Sequence, residues 1–205
     1  MFVSLCGIAK IRNMRFFFVK DYREKYRFFS AEPIRQIHLK FSRWKNIWEK
    51  ARQKLMLLPR KNLAQEQAFE QILHTEEKQV EILYSGNCSE QRIRVRFFFF
   101  LQRQRTKHIL LLIGETILLP ITGLAALLPG PNVFFGVLAL LMITHWQAFR
   151  GINRLAKKDY VFTPIPFLKE WEQALKKTDG DELTRILDKI SEDYNLEHLQ
   201  KILWK

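Results

Sequence analysis

The sequence predicts a mainly α-helical membrane protein, built from a two-helix transmembrane hairpin with basic helical arms and a small N-terminal α+β portion. Three observations lead to this fold class. Residues 109–149 contain a single acidic residue and neither lysine nor arginine. Two apolar runs inside that segment are separated by a break that contains proline and glycine. The rest of the chain is densely charged, with 34 lysines and arginines against 21 acidic residues and a net charge of +13.

The N-terminal arm, residues 1–108, contains three predicted strands. Residues 14–20 and 26–29 are compact aromatic and aliphatic runs, and Val80–Tyr84 is a third apolar run that ends in a Ser-Gly-Asn turn. Short runs rich in phenylalanine, valine, isoleucine and tyrosine are typical of β-strands. The sequence therefore predicts a small α+β portion near the N-terminus.

Two amphipathic helices are predicted between these strands. Apolar residues recur at three- and four-residue steps over residues 34–51, and a second helical pattern covers residues 62–78. This recurrence places apolar side chains on one helix face. Residues 91–100 begin with period-two alternation and then become solidly apolar. They fit either a strand or the start of a basic helix that lies at the membrane surface and runs into the hairpin.

The C-terminal arm, residues 150–205, is predicted to be helical. Two prolines precede amphipathic patterns at residues 167–177, 182–194 and 196–204. Proline is tolerated in the first turn of a helix and not in its interior. The arm therefore reads as three consecutive helices.

Residues 109–149 are predicted to cross a membrane twice. Ile109–Leu128 is twenty residues long, which in an α-helix corresponds to about 30 Å, the thickness of the hydrocarbon core of a bilayer. Val133–Phe149 has seventeen residues and lies at the short end of spanning length. The uncharged break between them favours a tight reversal of the chain. It consists of Pro129, Gly130, Pro131 and Asn132. Two other arrangements stay open: a shallower re-entrant hairpin, and a soluble domain that buries this hairpin in its core.

Basic residues flank both ends of the hairpin, whereas the predicted turn is uncharged. Segments rich in lysine and arginine beside membrane helices stay on the cytoplasmic or matrix side, so both arms and both termini are predicted to lie there. The flanking residues are also predicted to contact anionic lipid headgroups. They are Arg103, Arg105 and Lys107 before the first helix, and Arg150, Arg154, Lys157 and Lys158 after the second.

One acidic side chain, Glu115, lies about two turns inside the first predicted membrane helix, where an unpaired charge is costly. Folding the two helices about the centre of the predicted turn places Glu115 opposite position 146, so that Thr144 and His145 share its level. A glutamate–histidine pair with a hydroxyl nearby fits a proton or cation site. The alternative is that Glu115 extends toward the headgroups or pairs with an arginine of the basic arm.

No pattern in the sequence indicates an enzyme. The five histidines lack metal-ligand spacing, and no phosphate-binding glycine loop is present, so we expect no cofactor and no metal. The positive charge would suit nucleic acid, but the apolar segment favours a membrane surface, and we expect no nucleic-acid partner. Cys6 and Cys88 are predicted to be free thiols. The basic start of the chain fits a short mitochondrial presequence or translation from Met14.

The hairpin and the residues after it resemble a known family. Residues 118–155 are similar to the signature of the mitochondrial K+–H+ exchange-related family, in which an apolar segment leads into a turn with proline and asparagine. The second helix of that signature ends in a Ser/Thr-His-Trp-x-Ala-x-x-Gly element, which is here Thr144-His145-Trp146-Gln147-Ala148-Phe149-Arg150-Gly151. The stretch from Glu115 to Pro120 resembles, more faintly, the Glu-x-Leu-Leu-Pro stretch of the LETM family of cation/proton exchange proteins.

The resemblance implies a part in exchange of K+ for H+ across a bacterial or mitochondrial inner membrane, as a transporter component or as a factor that the exchanger requires. Glu115 would be the exchangeable carboxylate, with Thr144 and His145 as its partners. Two helices cannot enclose an ion path, so transport would need a homo-oligomer or a partner membrane subunit. The alternative function is a membrane-anchored interaction or scaffold protein without transport activity of its own.

Overall fold

A computed structural model describes residues 14–31, 60–124, 133–177, 180–194, 196 and 199–204. The predicted helix over residues 34–51, the predicted turn at residues 129–132 and Cys6 lie outside these ranges.

The centre of the fold is a four-stranded sheet with the order β2-β1-β3-β4. Strand β1 pairs antiparallel with β2 and parallel with β3, and β3 pairs parallel with β4. The strands are β1 Met14–Lys20, β2 Tyr26–Ser30, β3 Gln79–Tyr84 and β4 Asp159–Pro164. The first three confirm the predicted strands. Strand β4 was not predicted, and it adds to the sheet a segment from beyond the apolar helices.

Six helices surround or extend from this sheet in the described part of the chain. They are α1 Arg60–Leu73, α2 Glu90–Leu124, α3 Val133–Leu155, α4 Pro166–Lys177, α5 Gly180–Tyr194 and α6 Leu199–Leu203. The prediction of a mainly helical chain with a small sheet is confirmed. The strand alternative for residues 91–100 was wrong, because this stretch is the first part of α2. Helix α1 ends five residues before the predicted end at residue 78, because the chain there turns into β3.

Strand β1 is buried on both faces, because helices cover the sheet on either side. Phe16 and Phe18 face a core shared with α1, α2 and α3, whereas Phe17 and Val19 face a core shared with α4, α5 and α6. All four side chains are fully buried. The apolar run that predicted a strand is thus explained by a three-layer arrangement of helices, sheet and helices.

Helices α2 and α3 are longer than this arrangement requires. The core that the sheet shares with α1, α2 and α3 contains only one end of each long helix. Phe97 and Leu101 belong to the N-terminal part of α2, and Ile152 and Leu155 to the C-terminal part of α3. Both helices are long and apolar enough to cross a membrane. Each helix has a most apolar window of 18 residues. In that window 11% of the residues are buried for α2 and 39% for α3. A core helix of a soluble protein would be mostly buried, so this exposure argues against the alternative in which a soluble domain conceals both segments.

Helix α3 is fixed on the body by its contact with α1. A Cβ atom added to Gly151 would overlap the backbone carbonyl of Phe69, so glycine allows the two helices to approach closely. Beyond this contact, the Arg154 guanidinium donates hydrogen bonds of 2.8 Å to the Leu73 carbonyl and 2.9 Å to the Thr75 carbonyl. A cation at the C-terminus of a helix is favourable, because it satisfies free carbonyls and the helix dipole.

Replacing Gly151 with alanine will destabilise the fold. The added methyl group forces α1 and α3 apart, and overpacking of this kind costs about 1–3 kcal/mol. We expect thermal unfolding of purified Gly151→Ala, followed by circular dichroism in detergent, at a lower temperature than that of the wild type. Gly136→Ala is the matched control, because it lies in the same helix with no atom within 4 Å of the added Cβ. Equal melting temperatures for Gly151→Ala and the wild type would contradict the close contact.

Candidate functional site

Glu115 and His145 contact each other where α2 and α3 extend beyond the sheet. The distance from Glu115 Oε1 to His145 Nδ1 is 2.5 Å, and each side chain is 9% exposed. This geometry places Glu115 at the level expected from folding the two helices together. The structure thus brings together the acid and the imidazole of the predicted site, while their role as a proton or cation site stays a prediction.

The pair is the polar exception in an apolar stretch of helix. Among the described residues of 109–149, no other side chain belongs to an aspartate, glutamate, lysine, arginine or histidine. Burial of an isolated carboxylate in such surroundings is costly, and a hydrogen bond to a neighbouring imidazole offsets part of that cost. The pairing therefore explains how Glu115 can be 7% exposed inside an apolar segment.

The second carboxylate oxygen of Glu115 gives the site its chemical capacity. Glu115 Oε2 is buried and has no hydrogen-bond partner among the described residues. A carboxylate oxygen is an acceptor that can bind a proton or ligate a hard cation. Oε1 is occupied by the imidazole and Oε2 is available, so the arrangement can hold one exchangeable positive charge.

Thr144 does not join this pair in the structure. Its side chain is buried, and the hydroxyl donates a 2.9 Å hydrogen bond to the Leu140 carbonyl in the same helix. A threonine hydroxyl in a helix commonly bonds to the carbonyl four residues earlier. The predicted role of Thr144 at the site stays a prediction, and its donor is already engaged.

His108 is a buried residue beside the pair that the sequence analysis did not single out. Its ring is fully buried, and neither ring nitrogen has a hydrogen-bond partner among the described residues. Its centre lies 5.6 Å from the centre of the His145 ring and 6.5 Å from that of Phe69 in α1. The one hint in the sequence is that positions 108 and 115 are seven residues apart and share one face of a helix, but this spacing does not show that His108 is buried.

The outer surface of the two helices is apolar. Glu115 and His145 face each other, whereas large aliphatic and aromatic side chains point outward. Within residues 109–149, the exposed ones include Leu110, Ile113, Ile117, Leu118, Ile121 and Leu124 in α2, and Phe135, Ile143 and Trp146 in α3. A polar interior and an apolar exterior suit a lipid surrounding or a large protein interface.

The basic residues predicted to contact lipid fall into two groups. Six of them are exposed and Lys158 is half-buried; the exposed ones are Arg103, Arg105, Lys107, Arg150, Arg154 and Lys157. Arg154 and Lys158 are engaged with the body, because Lys158 Nζ donates to the carbonyls of Thr75 and Glu77 beside the two bonds from Arg154. Burial, together with the neighbouring Arg154 charge, lowers the pKa of Lys158 below its usual value. At least two of the seven residues therefore support the fold, and lipid contact stays a prediction for all of them.

The described residues contain no group of three histidine, cysteine, aspartate or glutamate side chains that could hold a metal ion. Cys88 is a free thiol that accepts a 3.3 Å hydrogen bond from Arg96. Among the described residues, the candidate site consists of Glu115, His145 and His108.

A double-mutant cycle tests whether Glu115 and His145 stabilise each other. Glu115→Leu or His145→Leu alone leaves a buried polar partner, which costs about 1–3 kcal/mol, whereas the double variant removes both. We expect the double variant to unfold at a higher temperature in detergent than the sum of the single effects predicts. The control is the same cycle with exposed Glu90→Leu in place of Glu115→Leu, which should be additive because distant sites are independent. Additive effects for the pair itself would show that the contact contributes nothing.

A family model described as mitochondrial K+-H+ exchange-related matches residues 20–158, which is more than half of the chain. The matched range includes Glu115, His145 and His108. It confirms the resemblance to this family, while the fainter LETM likeness stays a prediction. No curated protein and no solved structure matches the chain significantly.

Proposed function

Because the chain belongs to the mitochondrial K+-H+ exchange-related family, we propose that it is a multi-pass membrane protein that takes part in exchange of potassium for protons, with Glu115 and His145 as its proton and cation site. The observation that carries the proposal is the buried 2.5 Å contact of these two side chains inside an apolar stretch of two helices. Intramembrane acids that face a neighbouring helix mark ion and proton pathways in membrane proteins.

The outward-facing side chains support insertion of α2 and α3 into lipid. The exposed residues from Leu110 to Leu124 are almost all apolar. Contact of such a large apolar surface with water is unfavourable, whereas contact with lipid is not. With both helices inserted, the chain between them would lie on the far side of the membrane. The family description supports a mitochondrial location, and within this proposal the membrane is the mitochondrial inner membrane, with a bacterial inner membrane as the alternative.

The sheet supports a topology with both arms on one side of the membrane. Strand β3 precedes α2, strand β4 follows α3, and the two strands pair with each other over six residues. Helices that leave and re-enter one sheet return to the side from which they started. With Arg103, Lys107 and Arg150 exposed close to the apolar stretch, this side is the matrix or cytoplasmic one.

One carboxylate can account for coupling between the two ions. The Glu115 carboxylate binds either a proton or K+, and both ions neutralise the same negative charge, so they compete for the site. His145 holds Oε1 by its Nδ1 atom and fixes the direction of Oε2. Alternating release on the two sides of the membrane would exchange one K+ for one proton.

Oligomers or a partner subunit belong to this proposal. Two helices cannot surround a hydrated path, and the wide apolar exterior of α2 and α3 offers room for further helices beside them. A second copy or another membrane subunit would complete the wall around Glu115. The partner at the lipid surface is an anionic headgroup layer that the exposed arginines and lysines attract.

The second candidate function is a membrane-anchored interaction or scaffold protein that an exchanger requires. The described residues contain only two candidate membrane spans, whereas the rest of the described chain forms a folded body with two hydrophobic cores. This balance favours the second function. In this case α2 and α3 would be an anchor, and the body would dock a partner.

Flux measurements in proteoliposomes distinguish the two functions. Replacing Glu115 with glutamine keeps the size and hydrogen-bonding capacity of the side chain but removes its exchangeable charge. We expect proton uptake driven by a K+ gradient to fall at least about tenfold, since proton transfer by a positioned group contributes about 10²–10⁴-fold. Glu90→Gln is the control, because it removes an exposed carboxylate from the same helix.

The outcome is scored only for protein that remains inserted after alkaline extraction of the vesicles. Full K+-dependent flux from inserted Glu115→Gln would overturn the assignment of this carboxylate. No flux from the wild type, together with purification of a larger transporter in stable complex with it, would favour the scaffold function.

A further inference from the structure

Helix α2 carries buried polar atoms without partners along one face. Among the described residues, Gln104 Oε1, both ring nitrogens of His108 and Glu115 Oε2 are buried and lack a hydrogen-bond partner. Spacings of four and seven residues place these three side chains on one stripe of the helix. Buried polar atoms in native proteins are nearly always satisfied, so three consecutive exceptions on one stripe require an explanation.

The stripe leads from Gln104 through His108 to Glu115 and its partner His145. The His108 ring lies 5.6 Å from the His145 ring, and His145 Nδ1 contacts Glu115 Oε1. The order along the interface is therefore His108, His145 and Glu115. The edge-to-face ring of Phe69 covers His108 from α1. His145 from α3 and Lys107 on α2 are the titratable groups that act on it.

His108 sits at the boundary between the charged and the apolar parts of α2. Arg105, Thr106 and Lys107 immediately before it are exposed, and the apolar stretch begins at Ile109. A packing role at this position would suit a phenylalanine or leucine, which have no nitrogen to leave unsatisfied. An imidazole offers instead one donor and one acceptor on opposite sides of the ring, which is what passing a proton requires.

We propose that His108 is a proton relay between the aqueous side near Gln104 and the Glu115–His145 pair, an inference that rests on the function proposed for that pair. A proton binds one ring nitrogen of His108 while the other nitrogen releases its proton to His145 Nε2, directly or through one water. His145 then transfers the proton on Nδ1 to Glu115 Oε1, which leaves a neutral carboxylic acid. One proton enters and one is delivered, no electron moves, and rotation of both imidazole rings returns His108 and His145 to their starting tautomers.

The test compares proton flux for three variants in proteoliposomes. His108→Phe keeps an aromatic ring against Phe69 and removes both nitrogens, and His108→Ala opens a space that added imidazole can occupy. His74→Gln is the control, because His74 is exposed and lies outside the stripe. We expect at least about a tenfold loss of K+-dependent proton flux in both His108 variants, restoration of His108→Ala by millimolar imidazole, and no change in His74→Gln.

Each outcome decides the proposal. Wild-type flux in His108→Phe or His108→Ala would overturn the relay, and so would a loss in His108→Ala that imidazole does not restore, because a merely structural histidine gives that result. Glu115→Gln in the same vesicles separates this failure from failure of the proposed function. If Glu115→Gln abolishes flux while the His108 variants retain it, the exchange site stands and the relay is wrong.

Discussion

The structure depends on one contact, the hydrogen bond between Glu115 and His145 in an otherwise apolar pair of helices. Both side chains would be costly in these surroundings if either stood alone. Their contact lets α2 and α3 keep a polar interior while every large exposed side chain around it is apolar. The same contact leaves Glu115 Oε2 open, so the arrangement that makes the helices stable also provides a place for an exchangeable proton or cation.

The sheet and α1 hold this contact in position. Strands β3 and β4 tie the chain before α2 to the chain after α3, which fixes where both helices leave the body. Gly151 permits close contact of α3 with α1, and Arg154 binds the carbonyls at the end of α1. Within the Thr144–Gly151 element of this chain, packing against α1 explains Gly151, and the pair with Glu115 explains His145.

Periodicity and composition predicted much of this arrangement. Strands β1 to β3, the helices of the C-terminal arm and the level of His145 opposite Glu115 follow from patterns that are local, or from the simple geometry of two adjacent helices. Strand β4 was missed because Asp159–Pro164 is a short edge strand whose apolar residues, apart from Phe162, are not fully buried. His108 was missed because nothing in the sequence indicates which histidine will be buried: that is decided by Phe69 of α1, which is distant in sequence. The seven basic residues are equivalent by sequence, and only the fold shows that Arg154 and Lys158 bind backbone carbonyls.

Solid-state NMR in lipid bilayers tests the central contact most directly. Protein labelled with 15N-histidine and 13C-glutamate, reconstituted with anionic phospholipid, reports whether a histidine nitrogen lies beside a glutamate carboxyl carbon. Our account predicts a cross-peak between His145 Nδ1 and Glu115 Cδ that persists in the bilayer and disappears in Glu115→Gln. The absence of this cross-peak in lipid would contradict it.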